Sequence, residues 1–165
     1  MIRKGAEHPM MHLSRLADFA IVLMTHMAQN PGVIHSAAEM AGETRLPGPA
    51  VAKVLARLCR KGLIGSARGV KGGYRLERPA ASITVDAIVS AVDGPVALTQ
   101  CITPDSHRCE VEALCRSRAG LHAINRAVRK ALEDVSLADI ALPAAAFGAA
   151  ARPAAAKPDQ HREFS

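Results

Sequence analysis

A chain of 165 residues is long enough for one domain with a real core and a modest appendage, and too short for two full domains. Its 21 Lys and Arg against 15 Asp and Glu leave a formal charge of +6, which favours an anionic partner such as nucleic acid. No run approaches the roughly 20 apolar residues of a membrane span, and the early run from Phe19 to Met24 lacks a small-residue cleavage site, so a cytoplasmic protein is expected.

Residues 1–10 are polar and irregular and read as a flexible amino-terminus, with Met11 an equally good start. From Leu13 to about Gln29, Leu16, Ala17, Ala20, Leu23, Met24 and Met27 recur at steps of three and four, which predicts an amphipathic helix ended by Asn30-Pro31-Gly32. Ser36-Ala-Ala-Glu39 has the capping-box pattern and predicts a short helix over Ala37 to Glu43. A third helix follows, with Pro47 and Pro49 in its first turn and Val51, Val54, Leu55 and Leu58 on its inner face, up to Gly62. Two short helices joined tightly and packed on a longer one make a helix-turn-helix.

The period then changes. Leu63 to Ser66 and Tyr74 to Leu76 are short extended runs joined by Arg68-Gly69-Val70-Lys71-Gly72-Gly73, which predicts a β-hairpin with a basic, glycine-rich tip. Val85, Ile88, Val89 and Val92 predict a fourth helix of about ten residues, stopped at Asp93-Gly94-Pro95. Residues 94–118 hold three cysteines and no convincing period, so they read as a functional loop. Leu121, Ile124, Val128, Leu132 and Val135 then mark a helix of roughly 18 residues within 119–140, whose apolar seam calls for a partner helix. Residues 141–165 are Ala- and Pro-rich and read as a disordered tail. The expected fold is mainly α: a winged helix-turn-helix over 11–93 with a small hairpin wing, and a long carboxy-terminal helix for dimerisation.

A recognition helix lays its outward face in the major groove, where basic side chains meet bases and phosphates. Lys53, Arg57, Arg60 and Lys61 lie on the polar side of the third helix, and Arg68 and Lys71 sit in the hairpin beside Gly72 and Gly73, whose missing side chains let the backbone approach DNA. The hairpin lacks the Gly-Lys-Ser/Thr ending of a phosphate-binding P-loop. With no Trp and one Tyr, base stacking on single strands is disfavoured and double-stranded operator DNA is the expected partner.

Cys101, Cys109 and Cys115 are clustered, and Cys59 lies far off beside Leu58, where it reads as packing. Clustered thiols in a reducing compartment point to metal or redox chemistry before disulfides. Three thiolates leave an iron–sulfur cluster one ligand short, and such incomplete ligation suits a sensor better than an electron carrier. A structural zinc completed by His107, or cysteines that sense oxidants directly, are the competing readings. Neither a substrate pocket nor complete ligation for electron transfer shows in the sequence, so no enzyme is expected.

The run Arg68-Gly-Val-Lys-Gly-Gly-Tyr-Arg-Leu-Glu-Arg-Pro79, then Val92-Asp-Gly-Pro95, the three spaced cysteines and Ser136-Leu-Ala-Asp-Ile140 together resemble the Rrf2 family of winged-helix regulators, over about residues 11–140. Val92-Asp-Gly-Pro-Val-Ala-Leu-Thr-Gln-Cys101, Cys109-Glu-Val-Glu-Ala-Leu-Cys115 and Ile124-Asn-Arg-Ala-Val-Arg129 look most similar to regulators of the SUF iron–sulfur assembly system. The resemblance implies a homodimer joined by the long helix, a [2Fe-2S] or [4Fe-4S] cluster near that interface, and DNA binding, as a repressor, that changes with cluster state. IscR-type members use a His three residues after the last cysteine as fourth ligand; Arg118 stands there in this chain and cannot ligate. NsrR-type members use an aspartate of the first helix from the opposite subunit, which corresponds to Asp18; His107, His122 or no protein ligand are the alternatives. Arg68 matches the arginine that IscR-type wings direct into DNA, whereas Ala52 replaces their specificity-setting glutamate, which implies a different operator.

Overall fold

The computed structural model describes residues 12–69, 72–99, 102 and 115–141. The amino-terminal segment 1–11, the tail from residue 142, and most of the cysteine loop lie outside the described residues.

Helix α1 (Arg15–Gln29) begins where the Ser14 hydroxyl accepts a hydrogen bond from the Ala17 amide at 3.1 Å. This cap starts the helix two residues after Leu13, because a side-chain acceptor, not the apolar stripe, satisfies the first free amides. Its stripe of Ala17, Ala20, Leu23, Met24 and Met27 is buried. In α2 (Ala37–Thr44) the capping box forms as the sequence predicts: Glu39 N–H donates to the Ser36 hydroxyl, and Ser36 N–H donates to the Glu39 carboxylate at 2.8 Å. These bonds from the Ser36 backbone and hydroxyl hold the Glu39 carboxyl below its ordinary range. Arg45, in the left-handed region at φ 56°, ends α2. Helix α3 (Gly48–Arg60) follows, with Pro47 as its cap and Val51, Val54, Leu55 and Leu58 fully buried.

Strands β1 (Ile64–Ala67) and β2 (Gly73–Leu76) pair antiparallel, Ile64 opposite Leu76 and Ala67 opposite Gly73. Strand β1 lies one residue later than the sequence reading, because Leu63 N–H is still bonded to the Leu58 carbonyl at the end of α3. Strand β2 ends at Leu76 as expected and starts one residue earlier, at Gly73, which pairs with Ala67. On its other edge β2 bridges His35: His35 N–H donates to Tyr74 O at 2.9 Å and Tyr74 N–H donates to His35 O at 2.8 Å. The wing is thereby anchored to the segment that leads into α2.

A short 3₁₀ turn (Ala80–Ser82), which the apolar pattern gives no sign of, follows Pro79. Helix α4 (Val85–Asp93) starts at the Thr84 cap and buries Val85, Ile88, Val89, Ala91 and Val92 against α1 and α3. Helix α5 (Arg118–Glu133) packs on α4. It is shorter than the seam suggests: Asp134 ends it and leaves Val135 outside. There Val85 N–H donates to Val135 O and Leu137 N–H to Ile83 O, at 2.9 and 2.7 Å. That clasp returns the chain to the domain, where α6 (Leu137–Ile140), capped by Ser136 and Asp139, buries Leu137 completely. Among the described residues no helix is long and apolar enough to cross a membrane.

Candidate nucleic-acid interface and cysteine site

The helix-turn-helix of α2 and α3 presents Lys53, Arg60 and Lys61 as exposed side chains, with Ala52 exposed beside Lys53. Arg68 is exposed just beyond β1, and Lys71 at the wing tip lies outside the described residues. Among the described residues, exposed basic side chains thus stand on α3 and at the start of the wing turn.

Gly72 and Gly73 have a tighter role than easing DNA approach. A Cβ on Gly72 would lie 2.4 Å from the Ala67 carbonyl oxygen, and one on Gly73 would lie 2.4 Å from that of His35. The wing therefore closes only with hydrogen at both positions. Gly69, at φ +112°, adopts a backbone conformation that side chains disfavour.

Arg57 behaves unlike the other basic residues of α3. It is half-buried, and its guanidinium donates to the backbone carbonyl of Val92 in the last turn of α4. A cation here meets free carbonyls at the negative end of a helix, a favourable electrostatic arrangement. Arg57 thus ties the recognition helix to the helix that leads into the cysteine loop, in place of extending freely from the surface.

Only one of the three loop cysteines is described. Cys115 is half-buried, unbonded to another thiol, and stands just before α5; Cys101, Cys109 and His107 lie outside the described residues. Asp18 is exposed in the first turn of α1, and no hydrogen bond or ion pair joins it to Cys115 within the chain among the described residues. Cys59 is half-buried against the hydrophobic core, as the packing reading expects.

Asn125 is a residue that the sequence reading passed over. It is the one buried residue of α5; its side-chain oxygen accepts from Leu98 N–H at 3.0 Å, and its side-chain nitrogen donates to Val96 O at 3.2 Å. The segment that carries the chain toward Cys101 is thereby held in register on α5. A signal was present, because Asn125 follows Leu121 by four and precedes Val128 by three, which puts an amide on the apolar seam. Asp86 is likewise buried, with the Arg129 guanidinium of α5 3.5 Å away as a second tie between α4 and α5. A cavity of about 680 Å³ opens between Leu13 and Ser14, the 93–98 segment, and Val128 and Leu132 of α5, so the start of α1 and the entry to the cysteine loop share one cleft.

Known proteins agree with this architecture. Residues 13–142 match the Rrf2 family, described as "Iron-dependent Transcriptional regulator". The chain is 29% identical over 122 residues to Protein aau3 of Rhizobium meliloti, spanning 74% of this chain and 75% of that one. It is 26% identical over 128 residues to the HTH-type transcriptional regulator NsrR of Halalkalibacterium halodurans, spanning 77% and 88%. Among solved structures it is similar to CymR, the global cysteine regulator of B. subtilis, with a TM-score of 0.62 at 23% identity over 79% of this chain and 96% of that one; this likeness establishes the mainly helical fold with its two-stranded wing. The chain belongs to the Rrf2 family and is a DNA-binding transcriptional regulator, not an enzyme.

Proposed function

We propose that this regulator is a homodimeric, cytoplasmic repressor that controls the genes of the SUF iron–sulfur assembly system in response to a cluster held by Cys101, Cys109 and Cys115. The observation that carries the coupling is the bond from Arg57 to Val92 O, which joins the recognition helix to α4 only two residues before Gly94-Pro95 opens the loop. Asn125 supports it from the other side by fixing the 96–98 segment on α5. A change in the loop's conformation is thus passed to α4 and α5 together, and through Arg57 to the DNA-reading face.

The donor set fits the group. Three thiolates and one oxygen or nitrogen ligand complete a cluster, and Cys115 offers a half-buried thiol with no disulfide partner. When bound, the cluster supplies a centre sensitive to iron supply and to oxidants. We assign the fourth position to Asp18 of the partner subunit, since Arg118 offers no ligand atom and Asp18 projects exposed from α1. Dimerisation through α5 is supported by its seam: Ile124 is 55% exposed, and Leu121, Val128 and Leu132 are only half-covered by their own chain. Lys53, Arg68 and Lys71 are assigned to operator phosphates and bases, with the Gly72-Gly73 turn holding the wing's shape.

Anaerobic purification with absorption and Mössbauer spectra, followed by operator affinity of the cluster-loaded and cluster-free protein at one fixed salt, tests the reading. A brown protein whose two states differ in affinity is expected. Equal affinities would sink the coupling, and a colourless protein with stoichiometric zinc would replace the cluster by a structural metal. Asp18→Ala is expected to yield an unstable cluster; unchanged assembly would transfer the fourth position to His107.

A further inference from the structure

We propose that His26, His35 and Glu43 form a binding site for one divalent transition-metal ion, with zinc as the best-matched class, inside the helix-turn-helix. The three come from different elements: His26 from the last turn of α1, His35 from the bridge to the wing, and Glu43 from the end of α2. Their ligand atoms all lie within 4.8 Å of one another. His26 Nε2 and Glu43 Oε2 are 2.7 Å apart, and the two imidazoles meet edge to face with centroids 5.0 Å apart. Metal–nitrogen and metal–oxygen bonds of about 2.0–2.2 Å require ligand atoms roughly 3.3 Å apart in a tetrahedron, so rotation about side-chain bonds brings the three into place.

The second observation is His35 itself. The residue is only 6% exposed, and its Nε2 has no hydrogen-bond partner. A buried ring nitrogen without a partner is unfavourable, and a nitrogen of this ring lies within 4.8 Å of the ligand atoms of His26 and Glu43. The ring cannot withdraw from the cluster easily, because the His35 backbone is fixed by its paired bonds to Tyr74 in β2. Two imidazoles and a carboxylate match the nitrogen and oxygen preference of zinc, and three protein ligands leave a fourth position for water. An ion at this point would lock α1, α2 and the root of the wing to one another. None of the three is a ligand in the proposed cysteine site, so failure of either reading leaves the other standing.

The test uses the full chain carrying Cys101→Ser, Cys109→Ser and Cys115→Ser, titrated with cobalt(II) as the spectroscopic probe and then with zinc. One equivalent of cobalt with visible d–d bands and no thiolate charge-transfer band is expected, displaced by zinc, together with a higher melting temperature in zinc. His35→Ala should weaken binding by more than the roughly 10–100-fold that loss of an outer-shell partner costs. Should that buried substitution fail to fold, Glu43→Gln, an exposed and nearly isosteric change, is expected to weaken binding likewise. No bound equivalent, or binding as tight in Glu43→Gln as in the parent chain, overturns the proposal. If the serine chain does not fold, bound zinc is counted in the wild-type chain with and without Glu43→Gln: loss of one equivalent supports the site and an unchanged count overturns it.

Discussion

Arg57 donates a hydrogen bond to the carbonyl oxygen of Val92, so a basic side chain of the recognition helix is engaged with the helix behind it. A phosphate contact and a structural tie make different demands on this residue. Arg57→Met keeps much of the stem and removes the charge and the donors. We expect a stability loss of about 1.5–3 kcal/mol, the range for a hydrogen bond with a charged partner. The dependence of operator binding on salt should stay unchanged, whereas loss of a phosphate contact would reduce the slope by about one. Urea unfolding alongside a salt series separates the two.

Asn125→Leu preserves approximate size but leaves Leu98 N–H and Val96 O without their partner. An expected loss of about 1–3 kcal/mol follows from stranding buried polar groups, read by denaturant midpoint. Faster cluster loss in this variant is expected if the 96–98 segment positions the cysteines. Retention at the wild-type rate would dissociate the two.

Gly73→Ala forces a methyl to within 2.4 Å of the His35 carbonyl oxygen, so β2 must move away from the bridge to α2. Overpacking of this kind typically costs about 1–3 kcal/mol. Operator affinity should fall further than stability alone explains, because the wing is displaced. Equal affinity for wild type and Gly73→Ala at the same salt would show that the wing does not touch DNA.

Leu137→Ala tests whether α6 belongs to the domain core. Leu137 is fully buried, and truncation of a buried leucine costs about 2–5 kcal/mol. A thermal melt that shifts by only a degree or two would mean that α6 is a loosely attached appendage.

Glu39 and Asp139 have carboxyls lowered by hydrogen bonds, Glu39 chiefly from the Ser36 backbone and Asp139 chiefly from the Ser136 hydroxyl. A carboxyl lowered by folding stabilises the native state above its unfolded pKa, and that stability is lost as pH falls through the lower folded value. Stability should therefore decline as pH drops below the ordinary carboxylate range, about 4. In Glu39→Ala/Asp139→Ala the acid-side decline should be shallower, measured by melting temperature against pH. An unchanged acid limb would mean that the two caps carry no pH dependence.

Much of the fold was legible in the residues. Ser36 and Glu39 announced α2, the spacing of Val51, Val54, Leu55 and Leu58 fixed the inner face of α3, and the glycines beside Arg68 located the wing. These features are local: a cap or an apolar stripe is satisfied within a few residues, so the order of side chains carries it. The basic face of α3 was legible for the same reason, but the fate of Arg57 was not.

Contacts across the chain were hidden. Nothing in the run around Arg57 indicates that Val92, 35 positions on, lies within its reach. Likewise the sequence shows Asn125 as a polar interruption of an apolar seam without naming Leu98 and Val96 as the groups it satisfies. By itself, the sequence determined the main helices and the wing, because periodicity and capping are local chemistry. Only the tertiary structure decided which polar groups are spent inside, at Arg57, Asn125 and His35, because burial and pairing exist only once distant segments have been brought together.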